Sequence, residues 1–225
     1  MQAANKARMD RLIEQIAAET EATAFFTGRQ KLSPLVMTAM ARVPRHEFIP
    51  ESYRVSAYLN VPLPIGHGQT ISQPYIVALM TDLLDLNPED TVLEIGTGCG
   101  YQAAVLAEIV PHVPTVEMVP ALAAEASQRL RRLGYGNISV KLGQGRLGWP
   151  EHSPFDAIIV TAASDDVPQK LIEQLRAGGR MVIPVNTERG YWGQQDLLRL
   201  NKRNSGEISR TNVLPVAFVP LIGRD

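Results

Sequence analysis

Apolar positions near the start of the chain recur with the period of an α-helix. Met9, Leu12, Ile13 and Ile16 form one stripe on a helix predicted over about residues 6–20. Ser33-Pro34 marks the next helix start, with serine as N-cap and proline at the first helical position. Residues 35–42 continue it, and Pro44 lies just beyond its end. Residues 43–50 mix prolines with irregular polarity and are predicted as loop. Residues 62–75 are rich in glycine and proline and too polar for a core element, so they are predicted as a second loop. Pro74 then opens a helix reaching residue 86, with Ile76, Val77, Met80, Leu83 and Leu84 as its buried stripe. A polar loop anchored to such a helix is a common place for binding residues.

From residue 91 the pattern changes. Thr91-Val92-Leu93-Glu94-Ile95 is a short, branched, apolar run, which predicts a strand covered on both faces. Gly96, Gly98 and Gly100 follow at alternate positions, and residues 101–108 predict a helix. Strands are then predicted at 113–117, with Pro114 near the start, at 138–142 and at 155–160. A fifth, at 180–185, is entered through a turn at Gly178-Gly179. Helices are predicted at 120–133, ended by Gly134 and Gly136, and at 168–175. Residues 196–200 and 208–219 alternate around Asn204-Ser205-Gly206, which predicts a hairpin.

This alternation implies an α/β fold: a doubly wound, mostly parallel Rossmann-like sheet with helices on both faces. Residues 1–86 are helical and loop additions, and 87–225 form the core with a C-terminal antiparallel hairpin, all in one domain. Such sheets bind ligands outside the carboxyl ends of their strands. The glycine turn, Glu117 and Gln144 all lie just past predicted strand ends.

Composition narrows the partners. The 225 residues carry a net charge of −1, so no basic field points to nucleic acid. No apolar run approaches the roughly 20 residues that span a bilayer. Residues 1–10 are polar and lack an apolar signal core. Cys99 is the single cysteine, which excludes an intrachain disulfide and makes the cytoplasm the expected compartment. His46, His67, His112 and His152 are scattered without ligand spacing, so no metal is expected.

The glycine spacing selects among nucleotide ligands. A dinucleotide fingerprint would place its third glycine where Tyr101 stands. The glycines fall instead as G-x-G-x-G, with Glu94 two residues earlier. A carboxylate there repels a pyrophosphate but suits an ammonium group and a sulfonium centre. Glu117, ending the second core strand, is placed to accept from two ribose hydroxyls, a device that NAD enzymes share. The acidic-x-Gly-x-Gly-x-Gly run resembles the first motif of class I S-adenosylmethionine-dependent methyltransferases.

A closer resemblance covers nearly the whole chain. Val43-Pro44-Arg45-His46-Glu47-Phe48, Pro62-Leu63-Pro64-Ile65-Gly66, Gly68-Gln69-Thr70-Ile71-Ser72-Gln73-Pro74 and Val92-Leu93-Glu94-Ile95-Gly96-Thr97-Gly98 resemble the protein-L-isoaspartate O-methyltransferase family. So do Gly148-Trp149-Pro150, Asp156-Ala157-Ile158-Ile159-Val160-Thr161-Ala162-Ala163, Leu214-Pro215-Val216 and Phe218-Val219-Pro220-Leu221. The resemblance implies methyl transfer from S-adenosylmethionine to the α-carboxylate of L-isoaspartyl residues in damaged proteins and peptides, leaving S-adenosylhomocysteine. The methyl ester re-forms a succinimide, which opens the way back to a normal aspartyl linkage. Ser72 matches the family's active-site serine, a hydrogen-bond donor to the substrate carboxylate. Gln69, Thr70 and Ile71 fall on the substrate side, while Glu94, Gly96, Thr97, Gly98, Gly100, Glu117, Met118, Gln144 and Gly145 fall on the cofactor side. The expected protein is a monomer that binds neither nucleic acid nor membrane.

Some positions depart from the family pattern. Gln144 and Asn60 stand where acids are usual, Met118 where a basic residue is frequent, and Arg146 and Leu147 replace the usual residues after Gly-x-Gly. They raise a second reading, a weakened member that binds protein without efficient transfer. A dehydrogenase is a third, disfavoured by Tyr101.

Overall fold

The computed structural model describes residues 2–187 and 195–221. Helix α1 (Gln2–Thr27) is longer than the apolar stripe predicts. Residues 21–27 contain neither glycine nor proline, and the helix runs until Gly28 ends it in the left-handed conformation, its N–H bonded to Ala24 O. Met9, Leu12, Ile16 and Thr20 form its buried face, with Ile13 at the edge. Helix α2 (Pro34–Arg42) starts as predicted, with Ser33 Oγ accepting from Val36 N. The predicted loop at 43–50 holds a 3-10 turn over Arg45–Glu47.

The loop predicted at 62–75 is instead a two-stranded antiparallel hairpin, β1 (Leu63–Gly66) and β2 (Gln69–Ile71). Leu63, Ile65 and Ile71 turn inward while Pro64, Gly66 and Thr70 face out, a period of two that the glycines and prolines disguise. Helix α3 (Pro74–Asp82) ends earlier than predicted, and Asp85 sits at φ 44° just beyond it. Tyr75, Ala78, Leu79 and Thr81 are buried along with Val77, Met80, Leu83 and Leu84, because α1 and α2 both pack on this helix, while Ile76 of the predicted stripe is only partly buried.

The core follows as β3 (Val92–Ile95), α4 (Tyr101–Ala107), β4 (Val113–Glu117), α5 (Pro120–Arg132), β5 (Ile138–Leu142), β6 (Phe155–Val160), α6 (Gln169–Gln174), β7 (Leu175–Asn186), β8 (Gln195–Lys202) and β9 (Ile208–Val216). They make one seven-stranded sheet in the order β5-β4-β3-β6-β7-β8-β9. Strands β3 to β7 pair in parallel, and β8 runs antiparallel to both its neighbours. Val92, Ile159 and Val182 pack on one face with α1 to α4, and Leu93, Ile158 and Met181 pack on the other with α6.

Strand β4 spans the predicted residues, Pro114 included. Pro114 pairs with Ser139 on the β5 side, while the β3–β4 ladder resumes only at Thr115, so its missing N–H falls in a gap. Strand β7 begins at Leu175, and Gly178-Gly179 forms a bulge within it, between the Phe155–Leu175 and Ala157–Arg180 pairs. The chain moves outward from β3 to β4 and β5, then returns to the other side of β3 at β6. This puts the switch point of the sheet at the carboxyl end of β3.

Candidate active site

An open cleft of about 790 Å³ lies at that switch point. Its walls include Gln69, Thr70, Ile71 and Ser72 from the hairpin, and Glu94, Gly96, Thr97 and Gly98 from β3 and its turn. Glu117 and Met118 follow β4, and Gly145 follows β5. Eleven of the thirteen residues expected from sequence are thus brought together. Gly100 lies behind the wall, where a Cβ would press on Leu130 of α5 at 3.1 Å. Gln144 is exposed and outside the cavity walls.

The turn is built around two carboxylates. Glu117 Oε2 accepts from Gly98 N at 2.7 Å, and Oε1 accepts from the N–H groups of Met118 and Val119, each at 2.9 Å. This carboxylate therefore pins the glycine turn to the end of β4 and keeps acceptor capacity at Oε2. Gly96 must be glycine: it sits at φ 96°, and a Cβ would stand 2.6 Å from Thr161 Oγ1. That hydroxyl donates to Gly96 O at 2.8 Å and so ties the turn to the end of β6.

Glu94 is wholly buried in the cleft wall. Its Oε2 accepts from Thr115 Oγ1 at 2.5 Å, and Thr97 Oγ1 in turn lies 2.7 Å from Thr115 Oγ1. Its Oε1 is buried without a partner. Burial pushes the Glu94 carboxyl up to about 8, and the nearby negative charge of Glu117 adds to the rise. No lysine, arginine or histidine lines the cleft among the described residues. A pyrophosphate would meet two acids and no cation there, whereas a cationic ligand group would find an unused acceptor.

Ser72 is partly exposed at the mouth, one residue beyond β2. Its placement depends on Arg45, which lies in the stretch read from sequence as loop. Arg45 is fully buried, and its guanidinium donates to Ala57 O at 2.9 Å, Ser72 O at 2.9 Å and Val61 O at 3.0 Å. It also packs over the Tyr101 ring at 5.2 Å. Burial lowers its pKa. One side chain thus fastens three loop carbonyls, including that of the serine.

Sequence reasoning missed two further walls. Thr161 and Ala162 follow β6 at the same sheet edge, a position that the strand-end argument could have included. Val219, Pro220 and Leu221 return to the cleft through backbone bonds with Ala163, from Ala163 N to Val219 O at 2.8 Å and from Leu221 N to Ala163 O at 2.7 Å. No local pattern marks that return. Asn60 bonds to Glu19 of α1, outside this cleft.

Sheet order, glycine turn and strand-end acid together define a class I methyltransferase fold. The family model for protein-L-isoaspartate(D-aspartate) O-methyltransferase matches residues 26–225, and the chain belongs to that family. A curated relative, protein-L-isoaspartate O-methyltransferase 2 of Syntrophobacter fumaroxidans, is 54% identical over 220 residues, covering 98% of this chain and 87% of its own. A solved protein-L-isoaspartate O-methyltransferase is 29% identical with a TM-score of 0.83, over 96% of this chain and 66% of the longer solved one. A solved Plasmodium falciparum chain in complex with S-adenosyl-L-homocysteine shares the fold, with a TM-score of 0.77 at 24% identity over 97% of this chain and 98% of its own.

Proposed function

We propose that this enzyme transfers the methyl group of S-adenosylmethionine to the α-carboxylate of L-isoaspartyl residues in damaged proteins and peptides, initiating repair through a succinimide. The observation that carries the reading is the meeting of two cavities. Beside the first cleft lies a groove of about 1110 Å³ between α1, the start of α3 and the segment after β9. Thr70, Ser72, Thr161 and Val219 line both. A donor in one cavity and a peptide in the other meet at Ser72.

The cleft residues fit the cofactor. The unpartnered Glu94 Oε1 suits its cationic portion, and the spare acceptor on Glu117 suits ribose hydroxyls. The absence of any cationic side chain among the described walls argues against a dinucleotide. S-adenosylmethionine supplies an electrophilic methyl group on a sulfonium. The substrate carboxylate is already ionised at neutral pH, with an ordinary pKa of about 4, so no general base is needed. The Ser72 hydroxyl donates to that carboxylate and aims it, Arg45 fixes the serine backbone, and the hairpin excludes water. One C–O bond forms as one C–S bond breaks, with the electron pair left on sulfur and no proton moved.

Identity of 54% across nearly the full chain supports this activity over a weakened binding protein. We read the enzyme as a single-domain cytoplasmic monomer acting on isoaspartyl proteins without nucleic acid or membrane. Among the described residues no helix is long and apolar enough to cross a membrane. The test is calorimetric titration with S-adenosylhomocysteine and with NAD, followed by labelled methyl transfer to an isoaspartyl peptide and its aspartyl isomer. Binding of the first ligand alone and labelling of the isoaspartyl form alone are expected. Tight NAD binding, or equal labelling of both peptides, overturns the reading.

A further inference from the structure

We propose that Glu19 sets the charge preference of the peptide groove, favouring isoaspartyl substrates that carry a lysine or arginine beside the damaged residue and disfavouring acidic neighbours. This rests on the reading of the groove as the substrate side.

Glu19 is the single charged residue lining the groove among the described residues. Its walls are otherwise apolar or neutral, including Pro215, Val216 and Phe218 from the segment around the end of β9. The carboxylate is held but not neutralised. Glu19 Oε2 accepts from Asn60 Nδ2 at 2.6 Å, and both oxygens lie 3.1 Å from Gln73 Nε2. Asn60 Oδ1 accepts from Tyr75 N at 2.9 Å, which ties the arrangement to the first turn of α3. Both donors are amides, and among the described residues no lysine, arginine or histidine forms an ion pair with Glu19. Amides orient a carboxylate and leave its full charge in place. Oε1 receives only the shared Gln73 donor, so it retains capacity for a cationic donor.

Position makes this charge matter for recognition. Gln73, which touches Glu19, directly follows Ser72 in the chain. A peptide whose isoaspartyl carboxylate sits at Ser72 therefore brings an adjacent side chain to Glu19. Among the described residues the walls carry no other charge to offset its attraction to a cation or its repulsion of an acid.

The test uses the full chain, wild type and Glu19→Gln, with three isoaspartyl peptides differing only in one flanking residue: lysine, glutamine or glutamate. At saturating S-adenosylmethionine the wild type is expected to rank them in that order by kcat/KM, with about fivefold between successive charges. Glu19→Gln is expected to compress the ranking to within about twofold, while Glu19→Asp, which keeps the charge, preserves its order. Equal wild-type values across the peptides overturn the proposal. So does a uniform loss in Glu19→Gln with the ranking intact, which is the signature of a purely structural role. If the wild type methylates none of the peptides, the underlying reading of the function falls, and this inference falls with it.

Discussion

Replacing Glu94 with glutamine tests whether the cleft carries a buried carboxyl that holds its proton near neutral pH. In the folded protein this carboxyl has no exposure and titrates at about 8 rather than at 4.5, because burial disfavours its charged form. The unfolded chain loses that proton at the ordinary value. Between the two values the folded state binds the proton more tightly, so unfolding releases it and stability falls as pH rises. The slope reaches about 1.4 kcal/mol per pH unit, and the accumulated loss at pH 7 is about 3 kcal/mol. Glutamine keeps an oxygen for Thr115 Oγ1, now 2.5 Å from Glu94 Oε2, and does not titrate. Its unpaired amide N–H groups carry a cost of about 1–3 kcal/mol that does not change with pH. The diagnostic is therefore slope and not offset. Urea unfolding of both proteins from about pH 5 to about pH 8 should show the variant gaining on wild type throughout that window. Titrating groups that do not interact with Glu94 cancel in the difference, which leaves Glu94 and its neighbour Glu117. Parallel curves would refute the argument. A second readout follows from the proposed role: the ammonium group of the ligand's aminoacyl end favours the ionised carboxylate, so S-adenosylhomocysteine binding to wild type should release a proton and tighten with pH. Binding to the variant should be weaker and flat.

Ser72→Ala should lower turnover roughly 10- to 150-fold, the equivalent of a 1.5–3 kcal/mol bond to a charged group, with S-adenosylhomocysteine affinity nearly intact by calorimetry; unchanged turnover removes the serine from the mechanism. Arg45→Lys cannot serve the carbonyls of Ala57, Val61 and Ser72 together, so urea unfolding should show a loss of about 2–6 kcal/mol for two orphaned acceptors, and methyl transfer should fall with it. Wild-type stability in that variant would show that the three bonds are dispensable. Gly96→Ala should cost more stability than Gly98→Ala, because a methyl at Gly96 meets Thr161 Oγ1 at 2.6 Å while one at Gly98 meets Ile65 Cδ1 at an ordinary 3.5 Å. Equal losses would mean that backbone strain alone, about 1–2 kcal/mol per left-handed residue, decides both.

The centre of the parallel core was legible because its strands are buried on both faces and leave little polar alternation to misread. Phe155–Val160 and Val92–Ile95 announce themselves as apolar runs. The glycine turn was legible because its spacing is itself a backbone requirement, seen at Gly96. The hairpin was not, since only Leu63, Ile65 and Ile71 carry its pattern and the residues between them look like loop. Arg45 was hidden for a different reason. A charged residue in a proline-flanked stretch reads as exposed, and only the tertiary fold supplies the three carbonyls that let it be buried. The return of residues 219–221 beneath Ala163 depends on a contact nearly sixty positions away in sequence, beyond any local period.

The departures from the family pattern also resolve into local chemistry. Asn60 donates to Glu19 and accepts from Tyr75 N, two bonds that an amide makes at once. An aspartate there would set two carboxylates against each other, so the amide at residue 60 and the acid at residue 19 form a matched pair. Met118 uses its backbone N–H on Glu117, a bond to which its side chain is indifferent. Arg146 donates to Ser164 Oγ at 2.8 Å and pairs with Asp166 at 2.8 Å, bracing the segment after β5 against the loop after β6. Gln144 projects from the rim, where solvent screens whatever charge the position carries. Of these positions Met118 alone lines the cleft with Glu94, Glu117 and Ser72. On the proposed reading, the acidic pair and the serine keep the places that methyl transfer to a carboxylate needs, and the departures at Asn60, Gln144, Arg146 and Leu147 lie outside the walls that hold them.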